Sequence, residues 1–258
     1  MDLELQQKVV AITGGTDGLG LALAHRLVAE GAAVAICGRD AVKLSSAASG
    51  LAAVGGDVLA VQADVSQADQ IEQLVTSTLE RWGRLDGIVH NAGRSAGGPV
   101  ASSDDATWES DLQLKLMGAV RMARLSIPHL RQTKGSMLLT LALSAKAPGG
   151  GSGPSSVSRA AGMALMKALS KELAPDGIRV NAILIGLIES GQWVRMAETA
   201  GLELPALYEQ MAKDSAIPLG RVGRADEFAD LASYLLSARA SYVTGTAINL
   251  DGGLSPVV

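Results

Sequence analysis

The segment from Thr13 to Gly20 has the residue types and the spacing that binding a phosphate group requires. It reads Thr-Gly-Gly-Thr-Asp-Gly-Leu-Gly and lies between an apolar run and a helical pattern. Glycines let the backbone turn tightly and approach a pyrophosphate, whose charge then rests on free N–H groups at the positive end of the following helix. Because the flanking patterns predict a strand before the glycines and a helix after them, the segment predicts a dinucleotide-binding loop.

Lys115 is a candidate for proton transfer because of its apolar neighbours. These are Leu112, Leu114, Leu116, Met117, Gly118, Ala119 and Val120. A lysine in such a run either extends its ammonium to water or buries it. Burial lowers the pKa of a lysine toward neutrality, and a lysine with such a pKa can donate or accept a proton. The sequence leaves both placements open.

Short aliphatic runs alternate with longer helical patterns along the chain. The runs that predict strands are Lys8 to Thr13, Ala33 to Cys37, Val58 to Gln62, Gly87 to His90, Ser136 to Leu143, Arg179 to Ile185 and Ala247 to Leu250. Strands and helices in alternation pair in parallel through right-handed crossovers. We therefore expect one α/β domain over residues 1–258, a Rossmann-type doubly wound parallel sheet of about seven strands with helices on both faces.

Two segments interrupt this alternation. Pro148 to Ser156 is rich in Gly, Ser and Pro, and we expect a loop between the fifth strand and the next helix. Glu189 to Asp214 has a helical composition but does not fit the crossover rhythm, so we interpret residues 189–214 as an insertion before a helix near Arg224 to Leu236. Such a flap can cover a substrate and select it.

Charge and composition argue against several classes of partner. The formal net charge is −4 and the charged residues are interspersed, so we expect neither nucleic acid nor a membrane surface as partner. No apolar run approaches the ~20 residues of a membrane helix, and the first residues are acidic, so we expect a cytoplasmic protein. Cys37 is the single cysteine, and His25, His90 and His129 are widely separated. We therefore expect no disulfide and no metal site.

Six short motifs stand in a characteristic order. They are the glycine segment at 13–20, Asn91-Ala92-Gly93, Gly177 to Asn181, Pro218 to Arg221, Tyr242 to Gly245 and Asp251 to Gly253. In order and type they resemble the short-chain dehydrogenase/reductase family, from about residue 8 to residue 253. The resemblance implies an NAD(P)(H)-dependent oxidoreductase that transfers hydride between the cofactor and a carbonyl or secondary alcohol of a small molecule.

The resemblance also assigns the positions that contact the cofactor. They are Gly14, Thr16, Asp17, Gly18, Leu19 and Gly20 in the glycine loop, Asp64 and Val65 at the adenine, Asn91, Ala92 and Gly93 beside the ribose, and Gly186, Ile188 and Ser190 at the nicotinamide carboxamide. The family's Pro-Gly before the last group is Ile185-Gly186 here. That change leaves the backbone contacts in place.

The end of the second predicted strand decides which dinucleotide binds. An acidic residue there accepts hydrogen bonds from a 2′-hydroxyl, whereas a basic residue pairs with a 2′-phosphate. The acidic position is Gly38 and Arg39 follows it, which favours NADP(H) over NAD(H). Asp17, at a loop position that is often basic in NADP-binding relatives, favours the opposite choice. The alternative interpretation of Arg39 is a solvated turn residue.

The four catalytic positions of the family carry other residues here. The family's tyrosine and the lysine four residues later correspond to Ser155 and Arg159, its serine to Ala142, two residues before Ser144, and its asparagine to Lys115. A serine hydroxyl is far less acidic than a phenol, and Ser155 can instead cap the free N–H groups of its helix. Arg159 stays charged and can hold the ribose hydroxyls, and its charge would lower the pKa of Lys115. The candidate catalytic residues are Lys115, Ser155 and Arg159.

Three functions are compatible with these changes. The intact cofactor motifs favour an oxidoreductase in which Lys115 and Arg159 replace the family's proton relay. The alternatives are a dinucleotide-binding pseudoenzyme or sensor, and a non-redox enzyme on the same fold. The resemblance also implies a homodimer or homotetramer, assembled through the helices around Leu112 to Leu125 and Val157 to Leu173.

Overall fold

The computed structural model describes residues 1–258, and a parallel sheet forms its centre. The strands are β1 Val9–Thr13, β2 Ala33–Gly38, β3 Val58–Gln62, β4 Gly87–His90, β5 Gly97–Gly98, β6 Ser136–Ala142, β7 Gly153–Pro154, β8 Arg179–Ile185 and β9 Ala247–Leu250. Seven of them form the central sheet in the order β3-β2-β1-β4-β6-β8-β9. Each of the seven predicted strands is present, with ends within one residue of the prediction. The predicted α/β fold class is confirmed.

Helices cover both faces of this sheet. They are α1 Gly18–Ala29, α2 Ala41–Ala53, α3 Ala68–Trp82, α4 Asp105–Leu112, α5 Gly118–Thr133, α6 Ser155–Glu172, α7 Gly191–Ala200, α8 Leu204–Asp214 and α9 Ala225–Leu236. A core of 24 buried residues lies under α1, α2 and α9, and a core of 28 lies under α3, α5 and α6. The two cores are similar in size, so both faces are fully covered, as the doubly wound arrangement requires.

The strand order reverses between β1 and β4, and this reversal positions the site. β1 continues to β2 and β3 on one side, whereas β4 continues to β6, β8 and β9 on the other. Thr13 pairs in register with Cys37, so the segments that follow β1 and β2 leave the sheet at the same edge. Doubly wound sheets bind ligands in the crevice at such a reversal.

The short strands β5 and β7 have no counterpart in the sequence prediction. They pair antiparallel, with Gly97 opposite Pro154 and Gly98 opposite Gly153. The loop predicted from Pro148 to Ser156 is therefore wrong at its end, because a strand follows Ser152 and α6 begins at Ser155. Two-residue strands are too short to produce a periodic pattern in the sequence. Their pairing joins the segment after β4 to the first turn of α6.

The insertion between β8 and α9 consists of two helices, α7 and α8, as its composition indicates. Gly201 ends α7 with a φ of +64°, a left-handed conformation that glycine adopts without strain. Ala197, Leu207 and Ala212 are buried, so both helices pack onto the rest of the chain. None of the helices in the structure combines the length and apolar character that crossing a membrane requires.

Candidate active site

A cavity of about 800 Å³ opens at the carboxyl ends of the strands. The predicted site residues in its wall are Gly14, Thr16, Asp17, Gly18, Leu19, Arg39, Asp64, Val65, Asn91, Ala92, Gly93, Lys115, Ser155, Arg159, Gly186, Ile188 and Ser190. Its volume is typical of small-molecule and cofactor sites. The structure therefore brings the predicted cofactor and catalytic positions together in one continuous site.

The glycine loop depends on glycine at three positions for two different reasons. Gly14 and Gly18 have φ values of +66° and +50°, which residues with a Cβ adopt only at a cost. A Cβ on Gly20 would lie 2.2 Å from the carbonyl oxygen of Gly14. Gly20 therefore lets α1 pack against the loop. The resemblance assigns Gly20 to the cofactor contacts, but this residue does not line the cavity. The Nδ2 of Asn91 donates to the carbonyl oxygens of Thr13 and Gly14 at 3.1 and 3.2 Å and holds the loop in place.

Asp17 connects the glycine loop to the flap. Its Oδ1 accepts a hydrogen bond from the backbone N–H of Gly18 at 2.7 Å, as the N-cap of α1. Its Oδ2 lies 3.7 Å from the guanidinium of Arg195 in α7 and 3.9 Å from the ammonium of Lys43 in α2. Gly191, the first residue of α7, lies so close to Asp17 that a Cβ on it would be 2.0 Å from this Oδ2. Two cations flank Asp17, so its charge opposes a 2′-phosphate less than the sequence suggests.

The adenosine end of the cavity presents an exposed guanidinium. Arg39 is 68% exposed, and its NH1 lies 3.9 Å from Oδ2 of Asp64. Burial alone would raise the pKa of Asp64, but hydrogen bonds from Ser66 and the charge of Arg39 hold it below its usual value. A Cβ on Gly38 would lie 2.6 Å from Cγ2 of Thr16. The end of β2 therefore has no space for a carboxylate unless Thr16 moves.

The structure decides between the two placements of Lys115, because its ammonium is buried. The residue is 4% exposed and lies in a π-helical turn, Gln113–Met117, between α4 and α5. Its Nζ donates to Oδ1 of Asp111 and, at 2.6 Å, to Oγ of Ser155. Burial lowers the pKa of Lys115 to about 8; the hydrogen bond to Asp111 opposes this shift and the charge of Arg159 adds to it. An amine with this pKa can exchange a proton near neutral pH.

Asp111 is a site residue that the sequence analysis did not single out. It is 1% exposed, and its Oδ2 accepts a hydrogen bond from Oγ of Ser158 at 2.5 Å while its Oδ1 accepts from Lys115. A buried carboxylate needs such partners because an isolated charge is costly to bury. Side chains four residues apart meet on a helix, so the spacing of Asp111 and Lys115 was the signal that could have identified the pair.

Ser155 faces the cavity from the first turn of α6. Its Oγ accepts one hydrogen bond from the backbone N–H of Ala96 at 2.9 Å and one from Nζ of Lys115. Its side chain therefore does not cap its own helix, which was the alternative interpretation. Ala142, at the family's serine position, lines the cavity together with Ser144.

Arg159 lies one turn further along α6, with its guanidinium between β6 and the segment that follows β4. Its NH1 donates to the carbonyl oxygen of Thr140, and a Cβ on Gly93 would lie 2.8 Å from its NH2. Burial lowers the pKa of Arg159 to about 10, and Asp111 partly offsets this, so the group stays charged at neutral pH. Burial and the charge of Arg159 lower the pKa of His90 to about 4. His90 is therefore a neutral imidazole inside the protein.

The residues present fit a dinucleotide. The glycine loop lies at the N-terminus of the 12-residue helix α1, where N–H groups and the helix dipole favour a pyrophosphate. The Oγ of Ser190 is buried and has no protein partner, at a position predicted to lie beside the nicotinamide carboxamide. Leaving a buried hydroxyl without a partner is costly, and a polar ligand group would satisfy it.

Known proteins resemble this chain over nearly its whole length. The profile of a family described as enoyl-(acyl carrier protein) reductase matches residues 14–255. An uncharacterized oxidoreductase of Mycobacterium bovis is 35% identical over 252 residues, which are 96% of this chain and 97% of that protein.

Solved structures extend the resemblance to the fold. The apo structure of a short-chain oxidoreductase from Pseudomonas aeruginosa PAO1, described as containing an atypical catalytic center, has a TM-score of 0.93 at 35% identity over 97% of this chain and 98% of that one. Its NADPH-bound structure has a TM-score of 0.92 at 34% identity over 98% and 100% of the two chains. L-sorbose reductase from Gluconobacter frateurii, complexed with NADPH and L-sorbose, has a TM-score of 0.94 at 31% identity over 100% of both chains.

The fold and the site define an α/β protein that binds a nicotinamide dinucleotide. The matches to the family profile, to relatives and to solved structures show that the chain belongs to the short-chain dehydrogenase/reductase family. The protein is an NAD(P)-dependent oxidoreductase, as its motifs predict.

Proposed function

We propose that the protein uses NADP(H) to reduce the carbonyl group of a small molecule, or to oxidise the corresponding secondary alcohol. The observation that carries this proposal is the ammonium of Lys115, held between Asp111 and Ser155 at the wall of the cofactor cavity. The site therefore contains an acid–base group although the family's tyrosine is absent.

The charges at the adenosine end support a preference for NADP(H) over NAD(H). The guanidinium of Arg39 is exposed to the cavity, where it can pair with a 2′-phosphate. A Cβ on Gly38 would lie 2.6 Å from Cγ2 of Thr16, so a carboxylate that binds a 2′-hydroxyl would require Thr16 to move. The solved structures of the P. aeruginosa and G. frateurii relatives contain NADPH.

The chain's own residues then have separate tasks. NADPH, when bound, supplies hydride to the carbonyl carbon. Lys115 provides the proton that the carbonyl oxygen gains, and a pKa of about 8 suits a group that must give up a proton near neutral pH. Arg159 keeps its charge and stabilises the negative charge that develops on that oxygen. Its hydrogen bond to the carbonyl oxygen of Thr140 fixes the guanidinium in place.

Residues 189–214 form the proposed substrate cover of a single domain that spans residues 1–258. Gln192, Trp193 and Arg195 of α7 line the cavity, so this helix reaches the site. The Nε1 of Trp193 donates to the carbonyl oxygen of Ile188 at 3.0 Å, which holds its ring in one orientation. Substrate selection is therefore proposed to reside in α7.

We propose that the protein forms a homodimer or homotetramer and is located in the cytoplasm. The subunits would meet through the helices around Leu112 to Leu125 and Val157 to Leu173, and Val157 is a 49% exposed aliphatic side chain that such contact would cover. Burial raises the pKa of the Cys37 thiol to about 12, so this cysteine is unreactive.

The variant Lys115→Met tests the proposal because it keeps the length of the side chain and removes the proton. Turnover of a panel of ketones and aldehydes is expected to fall at least about a hundredfold, the lower end of what acid–base catalysis contributes. NADPH affinity, measured by fluorescence titration, is expected to stay unchanged. Lys171→Met, at an exposed position near the end of α6, is the matched control.

The substitution leaves Asp111 without its cation, so folding has to be measured separately. The double variant Lys115→Met with Asp111→Asn removes the unpaired charge and is expected to recover stability without recovering turnover. Full turnover in Lys115→Met would contradict the role of the lysine.

A further inference from the structure

The Oγ of Ser155 is held by two donors that reach it from different parts of the chain. The backbone N–H of Ala96 donates to it at 2.9 Å, and Nζ of Lys115 donates to it at 2.6 Å. The antiparallel pairing of Gly97–Gly98 with Gly153–Pro154 fixes the first contact, because Ala96 and Ser155 directly adjoin the paired residues. Neither contact depends on a ligand.

These two hydrogen bonds determine where the Ser155 proton points. A hydroxyl has two acceptor lone pairs and one O–H donor. Both lone pairs of Ser155 are occupied, its O–H donates to no protein acceptor, and the residue lines the cavity. The remaining direction for the O–H is therefore into the cavity, where a substrate oxygen would lie.

Lys115 is placed behind this hydroxyl. Its side chain is 3% exposed, and two of the three N–H groups of its ammonium are engaged by Asp111 and Ser155. We propose that Ser155 is the group that protonates the substrate oxygen, and that Lys115 replaces the proton of Ser155 in the same step. This inference rests on the proposed function, which makes Lys115 the source of the proton.

One hydride and two protons move in this step. The hydride from NADPH brings the electron pair of the new C–H bond to the carbonyl carbon, and the C=O π pair moves to oxygen. The O–H bond of Ser155 breaks as an O–H bond forms on the substrate, and an N–H bond of Lys115 breaks as its proton restores the hydroxyl. NADPH ends as NADP⁺, the carbonyl as an alcohol, and Lys115 as a neutral amine that regains a proton from water.

Serine alone is a weak acid, but proton transfer from Lys115 in the same step allows Ser155 to donate its proton. The hydroxyl gains one proton as it loses another, so no full alkoxide forms on Ser155. Asp111 and Ser158 are positioning residues in this scheme: the carboxylate holds the ammonium against Ser155, and the Ser158 hydroxyl, 2.5 Å from Oδ2, still satisfies that carboxylate when Lys115 becomes neutral. Arg159 supplies the positive charge that remains beside Asp111.

Two substitutions of Ser155 separate its hydroxyl from its position. In Ser155→Ala the single-turnover rate of carbonyl reduction is expected to fall at least about a hundredfold, whereas Ser155→Thr keeps the hydroxyl and is expected to stay within about tenfold of the wild type. Ser156→Ala is the matched control, because Ser156 is the next residue, is buried and does not line the cavity.

The single-turnover rate measured in mixtures of H₂O and D₂O shows how many protons move in the step. If Ser155 and Lys115 move two protons together, the single-turnover rate of the wild type depends on the deuterium fraction along a curve. Direct transfer from Lys115 moves one proton and gives a straight line. A straight line in the wild type overturns the relay.

A third measurement needs neither cofactor nor turnover. The pKa of Lys115 in the cofactor-free protein, followed by NMR of labelled lysine side chains, is expected to fall in Ser155→Ala because the ammonium loses an acceptor. It is expected to stay constant in Ser156→Ala. An unchanged pKa in Ser155→Ala shows that the contact is absent in solution and overturns the relay.

These outcomes also separate the relay from the proposed function. Wild-type turnover in Ser155→Ala, together with loss of turnover in Lys115→Met, overturns the relay and leaves Lys115 as the direct donor. Wild-type turnover in Lys115→Met overturns both.

Discussion

The carboxylate of Asp111 and the ammonium of Lys115 form a buried ion pair one helical turn apart, and Lys115 lines the cofactor cavity. Reduction requires the protonated ammonium, whose pKa burial lowers to about 8. We expect kcat/KM for carbonyl reduction to be constant below this pH and to fall about tenfold per pH unit above it, because kcat/KM reports the ionisation of the enzyme before substrate binds. Alcohol oxidation requires the neutral amine, so its kcat/KM should rise over the same range. Profiles measured in both directions without a break near pH 8 would contradict this assignment.

The substitution Asp111→Asn should shift the pH at which reductase activity begins to fall. The carboxylate raises the pKa of Lys115, so without it the fall in reductase activity is expected at lower pH. Breaking a buried pair also costs about 3–5 kcal/mol in the free energy of unfolding, measurable by urea denaturation. Because the folded-state pKa of Lys115 lies further below its unfolded value of about 10.4, the stability of this variant should begin to rise with pH below pH 8, earlier than in the wild type, and should continue to rise up to the unfolded pKa. Asp105→Asn removes an exposed carboxylate from the same helix and serves as the control.

Arg39 should distinguish the two dinucleotides. A charge-assisted hydrogen bond to phosphate contributes about 1.5–3 kcal/mol, so Arg39→Ala is expected to weaken NADPH binding by roughly tenfold or more. NADH lacks the 2′-phosphate, and its affinity should stay the same, which makes it the internal control. Both affinities can be measured by fluorescence titration. Unchanged NADPH affinity, or tighter binding of NADH by the wild type, would show that Arg39 is a solvated turn residue.

The single substitution Gly38→Asp should not be enough to change the cofactor preference. An aspartate at this position in an NAD-binding site would accept hydrogen bonds from the 2′-hydroxyl, but a Cβ on Gly38 lies 2.6 Å from Cγ2 of Thr16. We expect Gly38→Asp alone to lower thermal stability and to bind both dinucleotides weakly. Gly38→Asp with Thr16→Ala should fold normally and bind NADH more tightly than the wild type does, while Thr16→Ala alone should keep the original preference. Strong NADH binding by the single variant Gly38→Asp would rule out the steric explanation.

The features that sequence reasoning found are local ones. The aliphatic strands of four to seven residues and the Thr13–Gly20 loop carry their signal in consecutive residues, so the fold and most cofactor positions could be predicted. The burial of Lys115 could not, because apolar neighbours in sequence do not show which face of a helix is covered. The contact between Ala96 and Ser155 joins residues 59 apart through two-residue strands, and no periodicity marks it. The pair of Asp111 and Lys115 did have the spacing of a helical ion pair, but an exposed pair has the same spacing.

Restoring the family's catalytic residues tests whether Lys115 has taken the place of the tyrosine. The family resemblance alone predicts that Ser155→Tyr, Arg159→Lys and Ala142→Ser together create ordinary ketone reductase activity. In the structure, however, Nζ of Lys115 lies 2.6 Å from Oγ of Ser155, in the space that a phenol ring extending from this position would need. We therefore expect the triple variant to bind NADPH without gaining activity, measured as NADPH oxidation over a panel of ketones.

Adding Lys115→Asn to the triple variant should free that space and restore the family's asparagine at the same time. Asp111 would then lack its cation, so Asp111→Asn must accompany the change to keep the carboxylate from remaining buried and unpaired. We expect this five-residue variant to reduce generic ketones faster than the triple variant by at least about a hundredfold, the contribution of one placed acid–base group. The control is Lys115→Asn with Asp111→Asn in the wild-type background, which should be inactive because it has neither relay. Equal activity of the three- and five-residue variants would show that Lys115 does not occupy the position of the tyrosine.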